Sequence, residues 1–111
     1  MSSEASNHLE WLSRWYAAQC DGDWEHSYGV TIDTLDNPGW AMKIDLIATP
    51  LENAAFGAVD FNLDAPDDDP AVRWHSCKVA ENRFEGAGGV DDLATIIGVF
   101  QKWAEEHKTA R

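Results

Sequence analysis

Six tryptophans, Trp11, Trp15, Trp24, Trp40, Trp74 and Trp103, constrain this chain more than any other feature. An aromatic side chain buries about 150–250 Å², and an indole N–H taken out of water needs an acceptor. Leu, Ile, Val and Phe number only 22 of 111 residues, near the roughly 20% below which a highly charged chain is suspected of disorder. The tryptophans supply the missing apolar area, so the sequence predicts a folded domain. One domain over 1–111 is expected, with residues 1–6 as a flexible N-terminus, because domains most often run to about 100–150 residues.

The apolar residues recur with two periods. In residues 7–20, Leu9, Leu12 and Tyr16, with Trp11 and Trp15, fall at three- and four-residue spacing. That predicts a helix capped by Ser6 or Asn7, with Glu10 placed as in a capping box, and ended at Gly22 in a left-handed conformation. Leu93, Ile96, Ile97, Phe100, Trp103 and Ala104 repeat the helical spacing near the other end. There Asp91 and Asp92 precede the first turn, and Lys102, His107 and Lys108 lie near the last, matching the helix dipole. Between these segments the period falls to two. Val30, Ile32 and Thr34, then Trp40, Met42, Ile44 and Leu46, predict a hairpin of half-buried strands. Pro38 and Gly39 suit a type II turn from Asn37 to Trp40, with Gly39 at positive φ. A third strand is expected over 56–63, a fourth over 72–79 and a short fifth over 83–85. The acidic, proline-bounded stretch 64–70 reads as a loop, and Gly86, Gly88 and Gly89 as a break. The predicted class is α+β: an antiparallel sheet of about five strands, with the N-terminal and C-terminal helices packed on one face.

Charge narrows the function. Eight Lys and Arg stand against 20 Asp and Glu, a net −12. That field repels nucleic-acid phosphates and anionic membrane surfaces, and it favours solubility and rapid encounter with a basic partner. No segment reads as a secretory signal or as a membrane span of about 20 apolar residues. Cys20 and Cys77 form no Cys-x-x-Cys motif and read as reduced thiols, which places the protein in the cytoplasm.

Several constellations carry potential chemistry. Cys20, His26, His75 and Cys77 are ligand types for zinc, but their spacing matches no common zinc pattern, and no metal or cofactor is predicted. Asp21, Asp23 and Glu25 imitate the first three ligands of a calcium loop, but the loop's later Gly and Glu are replaced by His26 and Ile32. The glycines before the last helix are neither a dinucleotide fingerprint nor a P-loop, and Asp91 and Asp92 occupy the place of a phosphate. No catalytic signature is present, so the protein is not expected to be an enzyme. The alternative is a small metal-dependent or acid/base enzyme using His26, His75 and Cys77. A third reading is an acidic module that self-associates through an exposed Trp; the oligomeric state stays open. The stretch 20–29 stands out as polar, acidic and aromatic between a helix and a strand, where loops display binding residues. Trp24 there is either an interface anchor or a plug in the core.

Those residues carry a resemblance. Leu9-Glu-Trp-Leu12, Trp15-Tyr16, Cys20-Asp-Gly-Asp-Trp-Glu-His-Ser-Tyr-Gly29, Thr34-Leu-Asp-Asn-Pro-Gly-Trp40 and Lys43-Ile-Asp-Leu46 resemble the immunity protein 53 family. Trp74, Cys77-Lys-Val79, Phe84-Glu-Gly86 and the closing helix are similar too. The resemblance implies a small bacterial protein of α+β fold that neutralises a cognate toxin of a polymorphic toxin system by binding it. The charge suggests a toxin with a basic surface, such as a nuclease. Asp21, Asp23, Trp24 and Glu25, joined by Asp36 on the hairpin turn, are the candidate toxin-facing residues.

Overall fold

The period-two segments pair into one antiparallel sheet. The computed structural model describes residues 4–63 and 73–108. Its elements are α1 (Glu4–Gln19), α2 (Trp24–Ser27), β1 (Val30–Leu35), β2 (Gly39–Asp45), β3 (Val59–Phe61), β4 (His75–Ala80), β5 (Arg83–Gly88) and α3 (Leu93–Lys108). Among the described residues the sheet has five strands in the order β1-β2-β5-β4-β3, all neighbours antiparallel. The loop expected at 64–70 and the start of the fourth strand at Val72 lie outside the described residues, as does the start of the N-terminal segment.

The register sorts side chains as alternation requires. Val30, Ile32 and Thr34 of β1, Trp40, Met42 and Ile44 of β2, Phe84 of β5, and Cys77 and Val79 of β4 share one face. Met42, Ile44, Phe84 and Cys77 are completely buried there. The other face carries Ala41, Lys43, Asp45, Ser76, Lys78, Arg83, Glu85 and Ala87. Helix α3 covers the first face with Ile96, Ile97, Phe100, Trp103 and Ala104, five of the six residues its spacing selected. Helix α1 packs on α3 and adds Leu12 to the same core, with Trp11 and Trp15 edge-on to Phe100. Leu9 and Tyr16, expected on that apolar face, are exposed.

The indoles act as struts between elements. Trp24 Nε1 donates to the Ile47 carbonyl at 2.8 Å, Trp40 Nε1 to Val90 at 3.0 Å and Trp103 Nε1 to Ala55 at 2.8 Å. Trp11 Nε1 donates to Glu105 Oε2 at 2.8 Å, joining α1 to α3. The first three bonds satisfy polar groups that ring burial would otherwise strand.

Two expectations about glycines change. The 86–89 stretch is not a break. Gly86 and Gly88 belong to β5, paired with Met42 and Trp40 on one side and with Cys77 and His75 on the other. A Cβ on Gly86 would meet Ile96 Cγ2 at 2.5 Å. Strand β5 runs directly beneath α3, and glycine lets the helix sit that low. The hairpin turn also differs. The Asn37–Pro38 peptide is cis, and Gly39 is absent from the glycines with positive φ, so the type II reading does not hold. Gly39 is required for another reason: a Cβ there would lie 2.3 Å from the Gly88 carbonyl oxygen of the neighbouring strand. Gly39→Ala is therefore expected to cost about 2 kcal/mol by forcing two backbones apart. Thermal melting of the variant checks this, and an unchanged midpoint rejects the contact as limiting. Gly22 does adopt a positive φ of 97°, as expected of the residue that ends α1.

Candidate binding surface

Between α1 and β1 the chain makes a tight acidic turn, and its side chains explain why. Asp21 Oδ1 accepts the backbone N–H of Asp23 at 2.9 Å and of Trp24 at 3.0 Å. Glu25 reaches back, Oε1 accepting from Asp21 N at 3.0 Å and Oε2 from Gly22 N at 2.9 Å. Two carboxylates thus satisfy four N–H groups that helix ends and turns leave open. The Trp24 and Asp23 amides hold the Asp21 carboxyl below its ordinary value. The amide of Glu25 itself, with those of Asp21 and Gly22, does the same for Glu25. Carboxyls so depressed stay ionised at neutral pH, and the closure they provide is lost only as pH falls through the lowered values.

Trp24 sits beneath this turn. It is 4% exposed, edge-on to Trp15 and Tyr16 and tilted against Tyr28. Of the two alternatives left open for this residue, the structure selects the core plug: its ring has almost no surface to offer a partner. The short helix α2 that carries it was not expected, because four residues, Trp24–Ser27, leave no periodic signal. The candidate residues do not form one patch. Asp21, Asp23 and Glu25 lie before the start of β1, and Asp36 lies just beyond its end. Six strand residues separate them, about 20 Å at roughly 3.3 Å per residue.

The residues of the enzymatic alternative are also dispersed. His26 is on α2, which leads into the β1 edge, while His75 and Cys77 are on β4, three strands across the sheet. His75 stacks on Phe61 at 5.4 Å. Cys77 is fully buried, and burial, with Asp60 nearby, pushes its thiol up to about 11. A thiol so placed stays protonated and inert. Cys20 donates to the Tyr16 carbonyl at 3.4 Å. Among the described residues, no three His, Cys, Asp or Glu side chains group as metal ligands.

Charge is unevenly spread. On the helix-free sheet face, Lys78 lies 3.8 Å from Glu85 and Arg83 3.2 Å from Asp45, so acid and base neutralise each other. From residue 15 to 42, by contrast, the sequence holds five acids, Asp21, Asp23, Glu25, Asp33 and Asp36, and no Lys or Arg. These five run along β1 and its two ends. Sequence reasoning passed over Asp33, although the lack of any base across that stretch was the signal. A separate cleft of about 460 Å³ lies between α1, α3 and the loop after β2, lined by Trp11, Trp15, Ala18, Leu51 and Ala104, with Arg14 and Glu105 among its polar residues. Its walls are chiefly apolar and suit binding rather than proton transfer.

Among the described residues, no helix is long and apolar enough to cross a membrane. The family model for immunity protein 53 matches residues 9–105. No curated protein and no solved structure matches the chain.

Proposed function

The chain belongs to the immunity protein 53 family, and from that premise we propose that it binds and neutralises a cognate bacterial toxin by stoichiometric contact, without catalysis of its own. The toxin belongs to a polymorphic toxin system and is met in the cytoplasm of the producing cell. It presents a basic surface, as a nuclease groove does. The observation that carries this reading is the stretch from Asp21 to Asp36, which holds five acids, four of them exposed, and no Lys or Arg. A field of one sign accelerates encounter with the opposite sign and repels nucleic acid. The matched span, 9–105, supports a single domain. Dispersal of His26, His75 and Cys77 leaves no observation in favour of the enzymatic alternative.

The toxin-facing residues are Asp23 and Asp36, with Asp21 and Glu25 holding the turn that presents Asp23. Asp21 is a poor probe, because its carboxylate closes the turn. Asp23 makes no side-chain cap bond and is exposed. The test is association kinetics with the purified domain of the cognate toxin. Asp23→Lys combined with Asp36→Lys is expected to slow association about tenfold at low salt. The difference should shrink as salt shortens the screening length to about 8 Å and below, and melting should be little changed. Unaltered association at low salt removes both residues from the surface. Failure of the wild-type protein to bind or inhibit the toxin overturns the reading itself.

A further inference from the structure

Strand β1 is an edge of the sheet, and among the described residues no strand pairs with its outer side. The Asp45 amide donates to the Gly29 carbonyl at 3.1 Å, which fixes the phase of the ladder. With the register Val30↔Ile44 to Leu35↔Gly39, Thr31, Asp33 and Leu35 exchange bonds with β2. The N–H and C=O groups of Val30, Ile32 and Thr34 therefore point away from the sheet. Six residues make β1 the longer of the two edges, since β3 has three. Thr31, Ile32, Asp33 and Thr34 are all exposed, Ile32 by 37% on the face that the helices cover elsewhere. The strand has neither the lysine nor the proline with which sheet edges are commonly blunted.

We infer that β1 is the docking edge for a basic extended segment of the toxin, which adds to the sheet as a further antiparallel or parallel strand. This rests on the toxin-binding reading above. Charge selects the occupant. Asp33 lies mid-strand, Asp36 just past one end, and Asp21, Asp23 and Glu25 before the other. A second copy of this chain paired antiparallel edge to edge would lay the acidic end of one β1 beside the Asp36 end of the other, bringing like charges together. A segment with Lys or Arg opposite Asp33 and an apolar residue over Ile32 satisfies both faces and the open backbone groups together. The acidic turn at 21–25 and Asp36, about 20 Å apart at strand spacing, thereby become the two ends of one linear site.

The test is amide hydrogen exchange by NMR on the whole protein, alone and with the inactivated domain of the cognate toxin. In the free protein the Val30, Ile32 and Thr34 amides should exchange much faster than those of Thr31, Asp33 and Leu35. Toxin should slow exchange at Ile32 and Thr34 by at least tenfold. Thr34→Pro deletes an outward donor and leaves the bonds to β2 in place; it should weaken affinity at least tenfold at an unchanged melting temperature. Asp33→Lys leaves the backbone donors untouched and should weaken affinity similarly, so the inference does not depend on the proline variant folding. If toxin binds but protects the α1–α3 cleft and not β1, docking at this edge is wrong while toxin binding stands. If the β1 amides are already protected in the free protein, in a concentration-dependent way, the edge belongs to a second copy and the inference is wrong. If toxin does not bind at all, the inference falls together with the functional reading.

Discussion

Trp24→Ala is expected to destabilise the protein by about 3–5 kcal/mol, the range for removing a large aromatic from a core. The ring is 4% exposed and touches Trp15, Tyr16 and Tyr28 within 6.4 Å between centroids. Its loss leaves a cavity under the acidic turn and strips the Ile47 carbonyl of its donor. For a domain of this size the melting temperature should drop by on the order of 15 °C. Trp24→Phe keeps most of the volume and loses the donor, so it should fall between wild type and alanine. Toxin affinity, measured at a temperature where Trp24→Ala is still folded, should change little. A small drop in melting temperature with a collapse of affinity would instead make Trp24 a contact residue and overturn its placement in the core.

Asp92→Ala comes next in size, at about 3 kcal/mol. Asp92 is 2% exposed and serves two elements at once. Its Oδ1 accepts from Arg73, with Nε at 2.7 Å and Nη2 at 2.6 Å, and its Oδ2 accepts the Trp74 amide at 3.1 Å. The carboxylate in turn holds the Arg73 guanidinium above its ordinary value. The chain entering β4 is thereby tied to the start of α3, where the Asp92 carbonyl accepts the Ile96 amide. Bonds to a charged group contribute about 1.5–3 kcal/mol each, and a buried amide left unpaired adds its desolvation. Arg73→Ala should cost less than Asp92→Ala, because more than half of the Arg73 side chain is solvated. Asp92→Asn keeps an acceptor for Trp74 and should fall between them. Urea unfolding orders the three variants, and an Asp92→Ala midpoint equal to wild type rejects the tie.

The aspartate pair before α3 shows how a residue's place can be legible while its task is not. Two acids ahead of an apolar helix read as dipole complements. Asp92 does stand next to the first turn, yet its carboxylate is spent on the start of β4. That partner is 18 residues away, beyond any local pattern. The same holds for the candidate site. Three acids and a Trp within five residues marked 21–25 as unusual. Only the folded turn separates Asp21 and Glu25, bound to backbone amides, from exposed Asp23 and from buried Trp24.

Periodicity determined the rest. Ile96, Ile97, Phe100, Trp103 and Ala104 are buried at the spacing of one helix face, and Met42, Ile44 and Leu46 at the spacing of one strand face. A side chain's direction within an element follows from backbone geometry alone, so the helix–sheet–helix order and the buried faces of α3 and β2 were readable from the chain, whereas Leu9, Tyr16 and Ile32 kept the spacing and are exposed. Two things were decided by tertiary structure. The first is how closely elements approach: Gly86, Gly88 and Gly39 read as breaks and turns, but they are glycines because a helix or a neighbouring carbonyl lies where a Cβ would go. The second is strand order. Being first in sequence does not make β1 an edge; β2 takes β5 as its other neighbour, and among the described residues that leaves the outer side of β1 without a partner strand, with acids at both ends. Spacing along a chain records which way each residue faces, whereas close approach and edge position depend on contacts between residues far apart in sequence, and no local pattern records those.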